Sequence, residues 1–226
     1  MSLQIFNDIE QGTDEWFALR CGVITASVVG LLITAKTIKP ASNDTSRGLT
    51  AQLVAERITG HVEPMHETHD MLRGTLDEPF ARDVYAEHYA PVTETGFMVR
   101  KFDGFRIGYS PDGLVGDDGL IEIKSRKQKI QLRTIIEDAV PLENMAQIQC
   151  GLLVSGREWC DYVSYSGGMP LWTKRILPDE RWLDAITDAV LVFEATAAEM
   201  IAAYNAATEH LPTTERLDHF AEMEIF

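Results

Sequence analysis

The spacing of apolar residues along the chain changes repeatedly between a helical and a strand period, which predicts a mixed α/β fold. Helices are predicted near residues 11–20, 49–59, 68–90, 127–137, 142–154 and 178–207, and strands near 92–100, 105–109, 158–165 and 171–177. The core motifs fall within 11–154, followed by the C-terminal strands and long helix at 158–207. Because no repeat or low-complexity linker interrupts this pattern, residues 1–226 are expected to form one domain.

Two of the predicted helices carry apolar stripes at helical spacing. The stripe of the last helix indicates core or subunit packing and consists of Trp182, Ile186, Val190, Phe193, Ala197 and Ile201. The stripe of the helix at 68–90 consists of Leu72, Leu76, Phe80, Val84 and Tyr89. Glu78 lies about 240° around that helix from the start of the stripe, on its flank, where a glutamate is usually solvated.

A hairpin is predicted at 112–124, where short apolar runs flank a Gly-Asp-Asp-Gly turn. Side chains alternate between the two faces of a strand, so Ile121 and Ile123 point one way while Glu122 and Lys124 point the other. An acid and a lysine therefore share one face, about 7 Å apart along the strand.

The length of the turn decides whether Asp112, which begins the partner strand, lies on that face. A two-residue loop of Asp117 and Asp118 would place Asp112 opposite Ile123, on the wrong face for Glu122. A three-residue loop or a bulge would place Asp112 opposite Glu122. If the two carboxylates form one site, we predict the second arrangement.

Two carboxylates and a lysine on adjacent strands are typical of a magnesium site for phosphodiester hydrolysis. Magnesium binds waters, one or two carboxylates and substrate phosphate oxygens. Asp112 and Glu122 would hold the metal, and the backbone carbonyl of Ile123 offers a further ligand. Lys124 would orient the nucleophile and offset the charge of the transition state. The alternative is a surface hairpin with solvated charges, because this spacing alone often occurs by chance.

Charge narrows the functions that this pattern allows. The net charge of −15 argues against a protein that coats nucleic acid non-specifically. Five of the twenty lysines and arginines nevertheless gather directly after the hairpin, at Lys124, Arg126, Lys127, Lys129 and Arg133. Standing alone, such a stretch is typical of a solvated helix start, but directly after Glu-x-Lys it favours a loop that faces phosphates.

Composition also bears on location. No apolar run approaches the roughly 20 residues of a membrane helix, and the N-terminus lacks a signal region, so a cytoplasmic protein is expected. The three cysteines form no CxxC pair, which favours reduced thiols.

A weaker signal precedes residue 30. Arg20 is followed by Thr25, a good N-cap, and by Ser27 in the first turn of a short predicted helix. A cation, hydroxyl groups and a helix N-terminus together could bind a phosphate. Simple helix capping explains the same residues.

Five motifs follow one another between residues 11 and 154. They are Gln11-Gly12 with Trp16, Leu19-Arg20 and 22–27; Arg73-Gly74 with Glu78; 110–114; 120–124; and 145–149. In this order they resemble the phage lambda exonuclease type of viral recombination nuclease, within the PD-(D/E)xK superfamily. The resemblance implies that superfamily's core, a central mixed sheet flanked by helices. It also implies a magnesium-dependent 5′-to-3′ exonuclease that digests one strand of double-stranded DNA from its ends and leaves 3′ overhangs.

The resemblance further implies a role for each matching residue. Asp112 and Glu122 become ligands of two Mg²⁺ ions, together with the Ile123 carbonyl, and Mn²⁺ could replace Mg²⁺. Lys124 becomes catalytic, and Glu78 joins the metal site through a water. The pocket for the terminal 5′-phosphate consists of Arg20, Ser27, Ser110 and Gln147.

The same family implies a ring-shaped homotrimer around DNA, a single-strand annealing protein as partner, no membrane, and a phage or prophage origin in a bacterial cytoplasm. At Ser125-Arg126-Lys127 the chain departs from the family, which has a Cys-Pro step there. Two other functions stay open: a different enzyme of the superfamily, such as a sequence-specific endonuclease, and a non-catalytic DNA-binding module. The acids and the lysine argue against the second.

Overall fold

The computed structural model describes residues 2–9, 11–64 and 68–217. Its helices are α1 Asp14–Arg20, α2 Ala26–Val29, α3 Asp44–Thr59, α4 His69–His88, α5 Gln128–Glu137, α6 Leu142–Ser155 and α7 Glu180–Thr208. Its strands are β1 Ser2–Phe6, β2 Ile24–Thr25, β3 Ile33–Thr34, β4 Lys39–Pro40, β5 Phe97–Lys101, β6 Arg106–Tyr109, β7 Gly113–Val115, β8 Gly119–Ser125, β9 Trp159–Tyr165 and β10 Trp172–Ile176.

The predicted mixed α/β fold is confirmed. Within the described residues, the larger strands form two four-stranded sheets, in the orders β1-β5-β6-β2 and β10-β9-β8-β7. Each sheet is mixed, because the parallel pairs β2–β6 and β8–β9 lie beside antiparallel pairs. The chain passes from the first sheet to the second between β6 and β7, through Ser110, Pro111 and Asp112. This crossing segment positions the candidate site.

Helices α6 and α7 cover the main core. On α7, the residues from Trp182 to Ala197 in the predicted stripe are buried, and Ile201 packs against them half-buried. That stripe is therefore core packing, one of the two predicted roles. Helix α6 contacts α2, β5, β6 and β9 as well as α7, which holds the two sheets together behind the crossing segment.

Residues 35–47 lie outside every helix and strand predicted from the sequence, but they contain regular structure. Thr34 pairs with Lys39 in a two-stranded β3–β4 ladder, and α3 begins directly afterwards. Asn43 and Ser46 form a reciprocal capping box at its start. Strands of two residues are too short to show a periodic pattern, which is why the sequence did not predict them.

The apolar stripe of helix α4 does not face the protein core, as the simplest interpretation of such a stripe would predict. It packs on β8 and β9 through Ala81 and Tyr85, which are buried. Leu72, Leu76 and Phe80 instead lie on the outer face, at 41%, 60% and 63% exposure. Periodicity identifies residues that share a face, but it does not say which face the rest of the chain covers.

None of the helices in the described ranges is long and apolar enough to cross a membrane.

Candidate active site

The register of the β7–β8 hairpin determines which side chains lie on the same face of the sheet as Glu122 and Lys124. We call this face the active face. Gly113 pairs with Ile121, and the ladder closes so that residues 116–118 form the loop. Continued by one residue, the same register places Asp112 opposite Glu122. The predicted three-residue loop is confirmed, and a two-residue loop is excluded.

Glu122 and Lys124 lie on one face of β8, as predicted. Lys124 Nζ donates to Glu122 Oε1 at 2.6 Å. The Glu122 side chain is fully buried, and its second oxygen, Oε2, has no hydrogen-bond partner. No other buried side-chain polar atom in the described part of the chain lacks a partner. A buried carboxylate oxygen without a donor is unfavourable, so this atom is well suited to bind a cation.

Asp112 joins this pair from the crossing segment. Its Oδ2 accepts a hydrogen bond from the backbone N–H of Ile123 at 2.6 Å, which locks it against β8. Its backbone carbonyl accepts from Arg82 Nε on α4 at 2.9 Å. The aspartate is thereby held both by the strand and by the helix that carries Glu78.

Helix α4 turns Glu78 toward the hairpin. The guanidinium of Arg82, one helical turn further on, pairs with Glu78 Oε1 and also with Glu94, at 2.9 Å. From the local pattern a solvated glutamate was expected, but the Glu78 side chain is only 33% exposed and lies close enough to Asp112 for mutual repulsion. The expectation of simple solvation is therefore wrong, because α4 packs through the face next to Glu78.

Burial and mutual repulsion disfavour negative charge on these carboxylates. Burial, reinforced by Asp112, raises the pKa of Glu78 to about 7. Burial is also the main reason that the pKa of Glu122 rises to about 7, although Lys124 opposes the shift. The pKa of Asp112 is raised by burial and lowered in part by Lys124. Burial lowers the pKa of Lys124, but the carboxylates of Glu122 and Asp112 outweigh it, so this pKa is raised overall.

The carboxylates fit a magnesium site that substrate completes. Among the described residues, no group of three or more His, Cys, Asp or Glu side chains is arranged as a ready-made metal site. Arg82 and Lys124 instead engage Glu78 and Glu122. Magnesium needs only one or two carboxylates, with waters and phosphate oxygens as its other ligands. The partnerless Glu122 Oε2 beside Asp112 meets that requirement.

Three of the four residues predicted to bind the 5′-phosphate come together beside this site. Arg20 Nη2 donates to the hydroxyls of Thr25 and Ser27, each at 3.3 Å. The guanidinium also stacks on Trp16, 4.0 Å from the ring centroid, and Trp16 Nε1 donates to Ser110 Oγ at 3.3 Å. The simple capping alternative fails, since the Thr25 side chain makes no capping hydrogen bond.

The Arg20 guanidinium lacks a carboxylate partner. No Asp or Glu oxygen in the described ranges lies within 4.0 Å of it. Burial lowers its pKa to about 10, with Glu56 opposing the shift from a distance. The side chain therefore stays charged at neutral pH and is available to an anion.

Gln147, the fourth residue of the predicted pocket, is not bonded to the other three. Its side chain makes no hydrogen bond with any described residue, and it lies half-buried on α6. Helix α6 packs against α2, the helix that carries Ser27, and a Cβ added to Gly30 at the end of α2 would lie 3.4 Å from the Cβ of Ala146. The structure is compatible with the predicted position of Gln147 without adding a contact to support it.

The basic stretch after the hairpin is largely paired within the chain. Lys127 pairs with Asp70 at 2.9 Å, and Arg133 is 3.8 Å from Glu137. Arg126 differs, because its partners are neutral. An open phosphate-facing loop is therefore too simple a description of 124–133.

The model of the YqaJ-like viral recombinase domain matches residues 15–158 of the chain. The protein belongs to this family. The match includes Arg20, Glu78, the hairpin and α6. A comparison with curated proteins gives no significant match.

Solved structures resemble this chain over most of its length. An alkaline exonuclease from Laribacter hongkongensis, LHK-Exo, is 34% identical, with a TM-score of 0.77 over 88% of this chain and all of that one. The same enzyme in complex with dAMP gives a TM-score of 0.76. A phage-related exonuclease from Haemophilus somnus 129PT is 12% identical, with a TM-score of 0.62 over 80% of this chain and 96% of that one, which supports the fold alone.

The structure adds residues to this site that the sequence pattern did not indicate. Arg82 joins Glu78 to the Asp112 backbone, but a helical arginine four residues after a glutamate looks like an ordinary surface pair. Ser125 accepts from Arg73 Nε at 3.0 Å and donates to Asp77 at 2.6 Å, which ties the end of β8 to α4. Only the Arg73-Gly74 motif gave any advance signal of this link.

Proposed function

We propose that this protein is a magnesium-dependent exonuclease that digests one strand of double-stranded DNA from its 5′ end and leaves a 3′ overhang. One observation carries the proposal. The carboxylate–lysine cluster and the carboxylate-free Arg20 cluster meet at a single short segment, with Ser110 in one cluster and Asp112 in the other. A terminal phosphate beside Arg20 would therefore place a nearby phosphodiester at the carboxylates.

Each residue has a physical task in this reaction. Asp112, Glu122 and the Ile123 carbonyl would hold two Mg²⁺ ions. Glu78 would contact the metal through a bound water molecule. When bound, the metal supplies an acidified water and stabilises the attacking and leaving oxygens. Lys124 donates a hydrogen bond to the Glu122 carboxylate. From this position it would also donate to the reacting phosphate and offset the negative charge that develops there.

Arg20 would set the end preference. Its guanidinium, with the hydroxyl groups of Ser27 and Ser110, offers charged and neutral donors to a terminal phosphate. Gln147 would approach the same phosphate from α6. A hydroxyl-terminated end has no charge to bind there, so phosphorylated ends would be preferred.

The relatives support this assignment. LHK-Exo is an alkaline exonuclease, and its complex holds dAMP, a mononucleotide of the kind that stepwise digestion releases. A viral recombinase family also fits a 3′ overhang, since strand annealing needs single-stranded DNA. A single-strand annealing protein is the partner that we propose to use this overhang.

We also propose that three copies assemble as a ring around DNA. The outward apolar stripe of α4 supports self-association, because Leu76 and Phe80 expose most of their surface in the single chain. Leu132 and Ile136 on α5 are exposed as well.

The test is a linear duplex labelled separately at its 5′ and 3′ ends and incubated with and without Mg²⁺. We expect mononucleotides to be released from the 5′-labelled end, only with metal, and faster from a 5′-phosphate than from a 5′-hydroxyl. Release from the 3′ end first would contradict the polarity. Cleavage of a covalently closed circle would instead identify an endonuclease, and a lack of any cleavage would identify a binding module.

A further inference from the structure

Arg126 lies on the active face just beyond the end of β8. Its backbone N–H donates to the carbonyl of Tyr165 at 2.7 Å, which extends the parallel β8–β9 ladder past Ser125. Because side chains alternate along an extended segment, Arg126 points to the same side as Glu122 and Lys124.

Neutral side chains hold the Arg126 guanidinium in place. Nη2 donates to Asn144 Oδ1 on α6 and, at 2.8 Å, to the hydroxyl of Tyr162, and Nε donates to the same hydroxyl at 3.3 Å. Tyr162 is fully buried and Asn144 is 8% exposed, so this cradle is part of the packed structure. The Tyr162 hydroxyl also interacts electrostatically with Lys124 and Glu122, so the cradle adjoins the carboxylate site.

One side of the guanidinium has no acceptor. Nη1 makes no hydrogen bond with any residue that the structure describes, and no carboxylate oxygen there lies within 4.0 Å of Arg126. This is notable in a chain with 35 acidic residues. The neighbouring Lys127 and Arg133 both have acidic partners.

Arg157 provides a useful contrast. Its Nη1 donates to the backbone carbonyls of Gly116 and Gly119, at 2.9 and 2.7 Å, so its role is to stabilise the hairpin loop. It is also an arginine with only neutral acceptors, but it lies at the opposite end of β8. In Arg126, by comparison, the N–H groups of Nη1 have no acceptor among the described residues, and they lie on the same side of the sheet as Glu122 and Lys124.

We propose that Arg126 binds a backbone phosphate within the first three nucleotides of the DNA strand held in the site. The inference rests on the proposed function and adds a substrate contact to it. Guanidinium groups bind phosphate oxygens through paired N–H groups, and the free Nη1 supplies such donors. Asn144, which holds Arg126, is one helical turn from Gln147, so the contacted phosphate lies close to the terminal one.

The test measures binding of 5′-phosphorylated duplexes to the intact protein in EDTA, by fluorescence anisotropy. In separate duplexes, each of the first three internucleotide phosphates is replaced by an uncharged methylphosphonate, and a further duplex carries a 5′-hydroxyl. We expect one replacement to weaken wild-type binding about tenfold. Arg126→Gln should weaken binding of the unmodified duplex by a similar factor and lose nothing further from that replacement.

Arg157→Gln is the matched control, and it should lose the full factor at the same replacement. Full additional losses at every position in Arg126→Gln would overturn the proposal. If Arg126→Gln does not fold, as judged by circular dichroism, Arg126→Lys replaces it. A lysine cannot hold both neutral acceptors and a phosphate, so the methylphosphonate effect should fall at least about threefold, and an effect equal to that of wild type would also overturn the proposal.

The experiment separates this inference from the proposed function. If the wild-type protein neither binds ends nor releases nucleotides, the proposed function fails. If it binds and digests ends while Arg126 shows no coupling to any phosphate, only the role of Arg126 fails.

Discussion

Glu122 has a partner for only one of its two carboxylate oxygens among the described residues. One oxygen is bound by Lys124, the other has no donor, and the residue is fully buried. Proton binding and cation binding are the two ways to satisfy such a group, and they compete. If Glu122 holds Mg²⁺ as proposed, metal binding should therefore depend on pH.

Magnesium should therefore stabilise the protein more at higher pH. Since the pKa values of Glu78 and Glu122 are raised from 4.5 to about 7, the folded chain holds more protons than the unfolded chain in that window. The free energy of unfolding of the metal-free protein falls as pH rises through it. Magnesium replaces these protons, so the increase in Tm on adding Mg²⁺ should be larger near pH 8 than near pH 6.

Glu122→Gln is the control for this effect. The amide keeps the shape of the side chain but removes a titrating ligand, so both the Mg²⁺ shift and its pH dependence should shrink. A shift in Tm that is equal at both pH values in the wild-type protein would contradict the assignment of these carboxylates as metal ligands.

Lys124→Ala tests the catalytic role of the lysine. It removes the positive charge beside the reacting phosphate, so nucleotide release should fall at least about 100-fold. End binding should change little, because Arg20 and Arg126 are untouched. Lys36→Ala changes an exposed lysine in the β3–β4 turn and is the control. It should leave both the rate of nucleotide release and the affinity for DNA ends unchanged. Parallel losses of binding and release in Lys124→Ala would point to a binding role instead.

Arg20→Ala tests end recognition. The guanidinium keeps its charge at neutral pH, since its pKa lies at about 10. Its loss should slow digestion of 5′-phosphorylated ends about tenfold, equivalent to one charged hydrogen bond. Digestion of 5′-hydroxyl ends serves as the internal control and should be unaffected. An unchanged ratio between the two substrates would remove Arg20 from the pocket.

For the helices and strands, the sequence predicts best those features for which backbone geometry allows few alternatives. The parity of a hairpin has two outcomes, and the requirement that Asp112 face Glu122 selected the three-residue loop that the structure has. A stripe on α4 left two faces to choose from, and the pattern could not reveal that Ala81 and Tyr85 form the packed one. Contacts such as Arg82 to the Asp112 carbonyl depend on tertiary packing and have no periodic signal.

The hairpin loop should tolerate substitution poorly at Gly116. This glycine has φ +55°, a left-handed conformation that side chains disfavour. An added Cβ would meet only Asp118 Oδ1, at 3.7 Å, so the cost is conformational rather than steric. Gly116→Ala should reduce the free energy of unfolding by about 1 kcal/mol, measured by urea denaturation.

Gly48→Ala is the matched comparison. Gly48 lies inside α3 with open space around its Cβ position, so alanine should increase stability by up to about 1 kcal/mol. Opposite signs for the two substitutions are expected. Equal effects would show that backbone conformation does not determine the response at Gly116.

The acidic composition of the chain must be compatible with the proposed action on DNA ends. The net charge is −15, yet the guanidinium groups of Arg20 and Arg126 have no carboxylate partner among the residues that the structure describes. Both arginines lie near the carboxylates of Glu78 and Glu122, whose pKa values are raised by burial. Under the proposed function, we therefore expect attraction for DNA to be concentrated at the site.

Self-association should depend on the outer face of α4. Leu76 and Phe80 are 60% and 63% exposed, and full burial of such side chains stabilises an assembly by about 1.5–3 kcal/mol each. Size-exclusion chromatography with light scattering should give a trimer for the wild-type chain and a monomer for Leu76→Glu/Phe80→Glu. Val192→Glu, on the exposed face of α7, should leave the trimer intact. A wild-type monomer would refute the ring, and dissociation by Val192→Glu alone would move the interface to α7.

Because both α4 changes face away from Glu78, the monomer should still release single nucleotides, but it should leave the DNA more often between cleavage steps.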